Sequence, residues 1–172
     1  MKGYLSNMIK VFKTYKSLGE KAIAQLKEEE INWRQNEDSN SIALIVKHLH
    51  GNKLSRWTDF LTTDGEKENR HRDTEFEGEI RSKAELMHLW EEGWACMFKA
   101  LESLTEADLD KTVYIRQEAH SVMDAMNRQL AHYSYHVGQI VFVVKILRSS
   151  SWNSLSIPKG KSEEFNLQMK AK

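Results

Sequence analysis

Two histidines of this sequence, His132 and His136, stand four residues apart inside a long apolar-periodic segment. On a helix that spacing leaves their side chains only ~40° apart and one turn removed, so two imidazoles can reach one ion. Spacing alone is a weak motif, and a buried histidine bonded to a carbonyl has the same signature. A third ligand decides between these readings. His48 and His50 offer one, but residues two apart on a helix point ~200° from each other, and only one can serve. His48 shares its side with Leu44, Ile45, Gly51, Asn52 and Ser55, a mixture suited to a pocket wall, whereas His50 points with Val46, Lys53 and Trp57. His48 is therefore the candidate. Three neutral imidazoles from two helices form a facial set for a divalent ion such as Zn²⁺, with a fourth position left for water or substrate.

These residues need long helices to carry them. Leu5, Met8, Ile9, Phe12, Tyr15, Ile23 and Leu26 recur at helical spacing and predict a first helix over about 3–27. Ser39 to Ser41 supply N-caps for a second over about 42–61. The charged stretch 62–79 reads as a long surface loop. A Ser82–Glu85 capping box opens a third helix that runs through Leu101. Thr105 to Asp108 reads as a short helical turn, and Val113 to Ile115 as a brief extended piece without a pairing partner. The fourth helix runs from Ser121 to about Arg148, with Met126, Leu130, Tyr133, Val137, Ile140, Val141 and Val144 as its buried stripe and His132 and His136 along the stripe's edge. Residues 149–172 read as an irregular polar tail, and the whole as one domain with its core over about 3–148. The expected fold is all-α, a four-helix bundle.

Composition agrees and narrows the function. Lys plus Arg and Asp plus Glu total 25 each, so the net charge is zero, and no broad cationic field exists for a nucleic-acid backbone. One proline and 8 glycines in 172 residues leave few helix breakers. The single Cys96 lies in an apolar run and reads as a small core residue. No apolar run approaches a membrane span, and Met1 to Asn7 lack a secretory pattern, so the expected compartment is the cytoplasm, away from membranes. Di-iron chemistry needs two Glu-x-x-His elements, and only Glu85 to His88 has that spacing. Neither a His-Glu-x-x-His motif, a phosphate-binding glycine loop nor a Gly-x-Ser-x-Gly elbow is present. His71, His88 and His120 receive no role.

The segments Ser41 to Leu49 and His132 to Ile140 resemble the DinB-like (YfiT-like) metal-binding four-helix-bundle superfamily. Residues 65–77 and the tail 152–166 are similar to an uncharacterised branch of it. The resemblance implies that His48, His132 and His136 are the metal ligands, the set that the helical wheel selects, with zinc or nickel as the usual ion. It also implies a homodimer and a small-molecule substrate. Characterised relatives include thiol-dependent S-transferases and an isomerase in which a low-molecular-weight thiol binds the metal. The expectation is therefore a metal-dependent enzyme that activates a thiol or water; the alternative is a non-catalytic dimeric bundle with a structural or sensory metal. Asn52, Ser55 and, further along, Asp59 share the His48 side and either orient a ligand there or form a solvated stripe. The run from Arg70 to Glu77 either folds over the open position, with Arg72 or Asp73 as substrate contacts, or stays on the surface. Gly51 leaves room at the site or serves close helix packing, and Gly138 is assigned to packing.

Overall fold

A computed structural model describes residues 3–171; Met1 and Lys2, which open the segment read as lacking a secretory pattern, and Lys172 lie outside the described residues. The chain is mostly helical, with one small antiparallel sheet. The long helices are α1 (Tyr4–Ile23), α2 (Ile42–Trp57), α3 (Lys83–Glu102) and α4 (Val122–Arg148). Three of them start where a serine hydroxyl accepts an otherwise free backbone N–H: Ser41 from Leu44, Ser82 from Glu85, and Ser121 from Asp124. At α3 the Glu85 carboxylate turns back to the Arg81 N–H at 3.0 Å, so the reciprocal bond of the expected capping box is made one residue earlier.

The helices pack α2 on α3, α1 on α4, α2 on α4 and α1 on α3, around one apolar cluster. Its centre is aromatic. Phe12 of α1 meets Trp57 edge-on at 6.5 Å and Tyr133 at 6.0 Å, while Trp94 of α3 meets Tyr133 at 5.8 Å. Such rings bury large apolar areas and add edge-to-face attraction. Two α4 residues on the stripe, Tyr133 and Val137, are fully buried, and they set the rotation that aims His136 inward. Among the described residues, no helix is long and apolar enough to cross a membrane.

Four expectations need correction. Helix α2 stops at Trp57, not near 61, because Asp59 takes a left-handed φ of 49° and its carbonyl accepts from Thr62 and Thr63 in a turn. The extended piece is half of a hairpin, β1 (Thr112–Ile115) with β2 (Glu118–Ser121), Thr112 facing Ser121. The tail is not wholly irregular: α5 (Ser162–Lys170) is helical, with no buried residue. Gly138 has no packing role, since an added Cβ there would meet nothing within 4 Å.

Candidate metal centre

Helix α2 presents His48, and α4 presents His132 and His136, at one place. His132 Nε2 lies 3.1 Å from His48 Nε2 and 3.1 Å from His136 Nε2. One nitrogen from each ring falls within 4.8 Å of the other two, a group that can hold a metal ion. Three nitrogens each ~2.0–2.1 Å from a tetrahedral ion are separated by about 3.3–3.4 Å, close to what is seen.

The outer nitrogens of two rings are already engaged. His48 Nδ1–H donates to Glu75 Oε2 at 2.8 Å, and His136 Nδ1–H donates to Gln139 Oε1 at 2.8 Å. Each bond fixes a tautomer, so the Nε2 atoms of His48 and His136 carry lone pairs that point inward. His132 Nε2 can donate one hydrogen at most, to one of them. Without a cation, at least one buried lone pair faces another acceptor, whereas a cation satisfies all three.

Glu75 is the key partner that the motif reading missed. It sits on a 3-10 helix, Arg72–Phe76, that packs against α2. Arg70 holds its carboxylate with two bonds, Nε to Oε1 at 2.8 Å and Nη2 to Oε2 at 3.0 Å. Burial pushes the Glu75 carboxyl up, but the bonds from His48 and Arg70 outweigh it and hold the group below the usual carboxylate range. Gly51 permits this contact: a Cβ there would collide with Glu75 Oε1. The glycine thus leaves room for a ligand's partner, not for the ion itself. Phe76 stacks on the His48 ring at 4.9 Å, and Tyr135 lies over the His136 ring at 4.0 Å.

Burial, followed by repulsion from the neighbouring imidazoles, pulls His132 down to about 3; burial, followed by repulsion from the His48 imidazole, pulls His136 down to about 4. Both are neutral at pH 7 and offer lone pairs without first losing a proton. Behind them, Tyr133 Oη accepts from Trp57 Nε1 at 2.9 Å and donates to Asn52 Oδ1 at 3.0 Å, and burial raises the phenol's pKa. Lys53 is enclosed by Trp94, Tyr133 and Trp90, its Nζ 4.3 Å from the Trp94 centroid, and burial drives its pKa well down.

A polar cavity of about 380 Å³ opens on the three histidines. Asn52 and Arg72 line it. Ser55 does not: its hydroxyl donates to the Gly65 carbonyl at 2.7 Å and accepts the Lys67 N–H at 3.1 Å, so it anchors the loop. Asp73 and Asp59 are exposed and away from the wall. The stretch 62–79 is therefore more than a surface loop, because its 3-10 helix covers one side of the site. His50 pairs with Glu92 at 2.9 Å, outside the trio. His71 and His88 are exposed, and His120 sits in the hairpin, 3.5 Å from Glu118. Cys96 is half-buried at the edge of the core. Glu75 and Gln139 carry no periodicity signal; the only sequence cue for Glu75 is a glycine one turn after His48, and Gln139 stands one turn after His136.

No curated protein and no solved structure matches the chain. A family model described as "Protein of unknown function (DUF1572)" matches residues 1–161, and that family falls in the DinB/YfiT-like clan. The match takes in α1 to α4, the three histidines, Glu75 and Gln139, and ends just before α5; the chain belongs to the DUF1572 family.

Proposed function

We propose that this chain is a single four-helix bundle of the DinB/YfiT type in which His48, His132 and His136 hold a divalent ion, zinc or nickel, and that the protein is a metal-dependent enzyme acting on a thiol or on water. The observation that carries the reading is the pair of inward lone pairs on His48 and His136, fixed by Glu75 and Gln139 beside His132. An ion bound there lowers the pKa of a coordinated thiol or water, so that it is a nucleophile at neutral pH.

The chain's own residues supply the rest. Glu75 and Gln139 hold the ligand rings, Phe76 and Tyr135 wall off their faces, and Asn52 presents a polar edge to the cavity. A purely structural ion is the second reading. Against it stands the bond chain Trp57–Tyr133–Asn52, which ties α2 to α4 right behind the histidines without an ion.

The test is to load untagged protein with Zn²⁺ or Ni²⁺ and assay it with low-molecular-weight thiols against a panel of electrophiles. Turnover that needs the ion and disappears in His132→Ala supports the enzyme. Loss of thermal stability on chelation with no turnover for any thiol or for hydrolysis supports the structural reading.

A further inference from the structure

The cavity beside the histidines is lined by five arginines, Arg56, Arg70, Arg72, Arg116 and Arg128, and by no carboxylate. In a chain whose net charge is zero, that is a strong local bias. The carboxylates that reach these guanidiniums are Glu66, Glu75 and Glu118, and they leave the arginines in excess before any divalent ion adds its charge. We infer that this cavity receives an oxyanionic group, a carboxylate or phosphate, carried by the small molecule whose other end reaches the ion. The inference rests on the metal reading above and names the substrate class of the same site.

Four of the five arginines divide into two sets; the fifth, Arg116, donates its Nε–H to Glu66 at 3.0 Å. Arg70 is committed to Glu75 and Glu66, and Arg56 binds Glu66 at 3.0 Å and the Gly65 carbonyl. These two form a rigid, buried floor. Even there a donor is spare, for Arg56 is only 6 % exposed and its buried Nε–H has no acceptor. Buried donors are rarely left unpaired unless a ligand or water completes them. The second set is uncommitted. Among the described residues Arg72 has no carboxylate partner and lies 5.0 Å over the Phe76 ring, which itself stacks on His48. Among the carboxylates of the described residues, Arg128 reaches only the exposed Glu118, at 3.7 Å. Guanidinium groups bind carboxylate and phosphate through paired parallel N–H bonds, which a lysine cannot reproduce.

Arg116 reaches the cavity at a cost that points the same way. It and Gln117 form the hairpin tip with φ of 56° and 65°, the left-handed region where glycine or asparagine is preferred. The Asp64 carboxylate pins that tip by accepting the Arg116 N–H at 2.8 Å and the Gln117 N–H at 2.7 Å. A strained arginine, held by the loop that also carries Arg70 and Arg72, is positioned rather than incidental. Gln129, buried on the same wall, has an unpartnered Oε1 that accepts a hydroxyl or amine of the ligand.

The experiment uses the full chain loaded with Co²⁺ and three thiols of similar length: 4-mercaptobutan-1-ol, 4-mercaptobutyrate and 3-mercaptopropylphosphonate. Thiolate binding is read from the cobalt spectrum, in wild type and in Arg72→Gln and Arg128→Gln, two partly exposed positions where folding is checked by circular dichroism. The acidic thiols bind about tenfold or more tighter than the alcohol, as expected for charge-assisted bonds, and the two variants remove that preference without altering the affinity of the alcohol. Which acid gains more tells carboxylate from phosphate. Equal binding of all three thiols, or a preference that survives both variants, overturns the inference while the metal reading stands. If no thiol perturbs the spectrum, the thiol reading fails instead, and calorimetry with inorganic phosphate and succinate decides the inference: heat lost in the variants supports it, and no heat in wild type overturns it.

Discussion

His48 and Glu75 are joined by a 2.8 Å hydrogen bond between two buried side chains 27 residues apart in sequence. The bond sets which nitrogen of His48 faces the site, and the carboxylate is itself clamped by Arg70. Partners of this kind typically contribute 10–100-fold to metal affinity. Gly51→Ala places a methyl group where Glu75 Oε1 now lies, so the carboxylate must shift. The variant folds but binds Zn²⁺ roughly tenfold or more weakly, as measured by competition with a chromophoric chelator. Glu75→Ala goes further. It strips the buried Arg70 of its nearer carboxylate, leaving only Glu66 at 3.4 Å, and costs about 3 kcal/mol in a urea titration.

The pH dependence of the metal-free protein has a definite sign. His132 and His136 stay neutral down to about 3 and about 4 in the folded state, against ordinary values near 6.5. Between those limits the unfolded chain binds protons that the native one refuses, so the contribution of these groups is complete above ~6.5 and is lost as the pH falls toward 4 and 3. Urea midpoints recorded across that window fall more steeply for wild type than for His132→Gln or His136→Gln. Parallel curves would show that neither imidazole is held neutral.

Lys53 gives a dependence of the same sign in a higher pH range. Its amine lies among Trp90, Trp94 and Tyr133, its one hydrogen bond is a long one of 3.5 Å to the Leu49 carbonyl, and burial lowers its pKa well below the ordinary value. The unfolded chain is protonated there up to about pH 10.4, so this residue's cost is greatest at low pH and shrinks as the pH rises. Lys53→Met, similar in length and without the buried amine, equals or exceeds wild type in stability at pH 7, by on the order of 1–3 kcal/mol. The difference narrows toward pH 10 in denaturant titrations.

At the hairpin tip, Gln117→Gly removes the cost of a left-handed side-chain-bearing residue and keeps the N–H that Asp64 accepts. A gain of about 1 kcal/mol follows, read as a higher thermal midpoint. The change does not touch the cavity-lining side chain of Arg116, so thiol and anion affinities stay at wild-type values.

The helices that carry the histidines were legible because their signals are local and periodic. Ser41, Ser82 and Ser121 each cap the helix that follows them, and Tyr133 and Val137 fall on the buried stripe as the 3.6-residue period requires. His48 could be separated from His50 by rotation alone. What was not legible lies in contacts between segments. Glu75 stands in a charged run with no period, and only the fold shows that the run turns back onto α2. Ser55 shares a helix side with His48 yet is taken up by the loop backbone at Gly65 and Lys67. Strand β2, Glu118 to Ser121, has neither β-branched residues nor apolar alternation, and the turn before it lacks glycine and asparagine, so the partner of the extended piece at 113–115 left no trace. Helix α5 buries nothing and so shows no apolar stripe to read.

The imidazoles of His48, His132 and His136 converge where one ion can be held. The most direct measurement is elemental analysis of protein purified without an affinity tag or chelator, alongside His132→Ala prepared in the same way. Wild type carries a stoichiometric divalent metal and the variant loses it, with circular dichroism unchanged. Wild-type protein that carries no metal and takes up neither Zn²⁺ nor Ni²⁺ at micromolar concentrations, or a variant that retains the full complement, would contradict it.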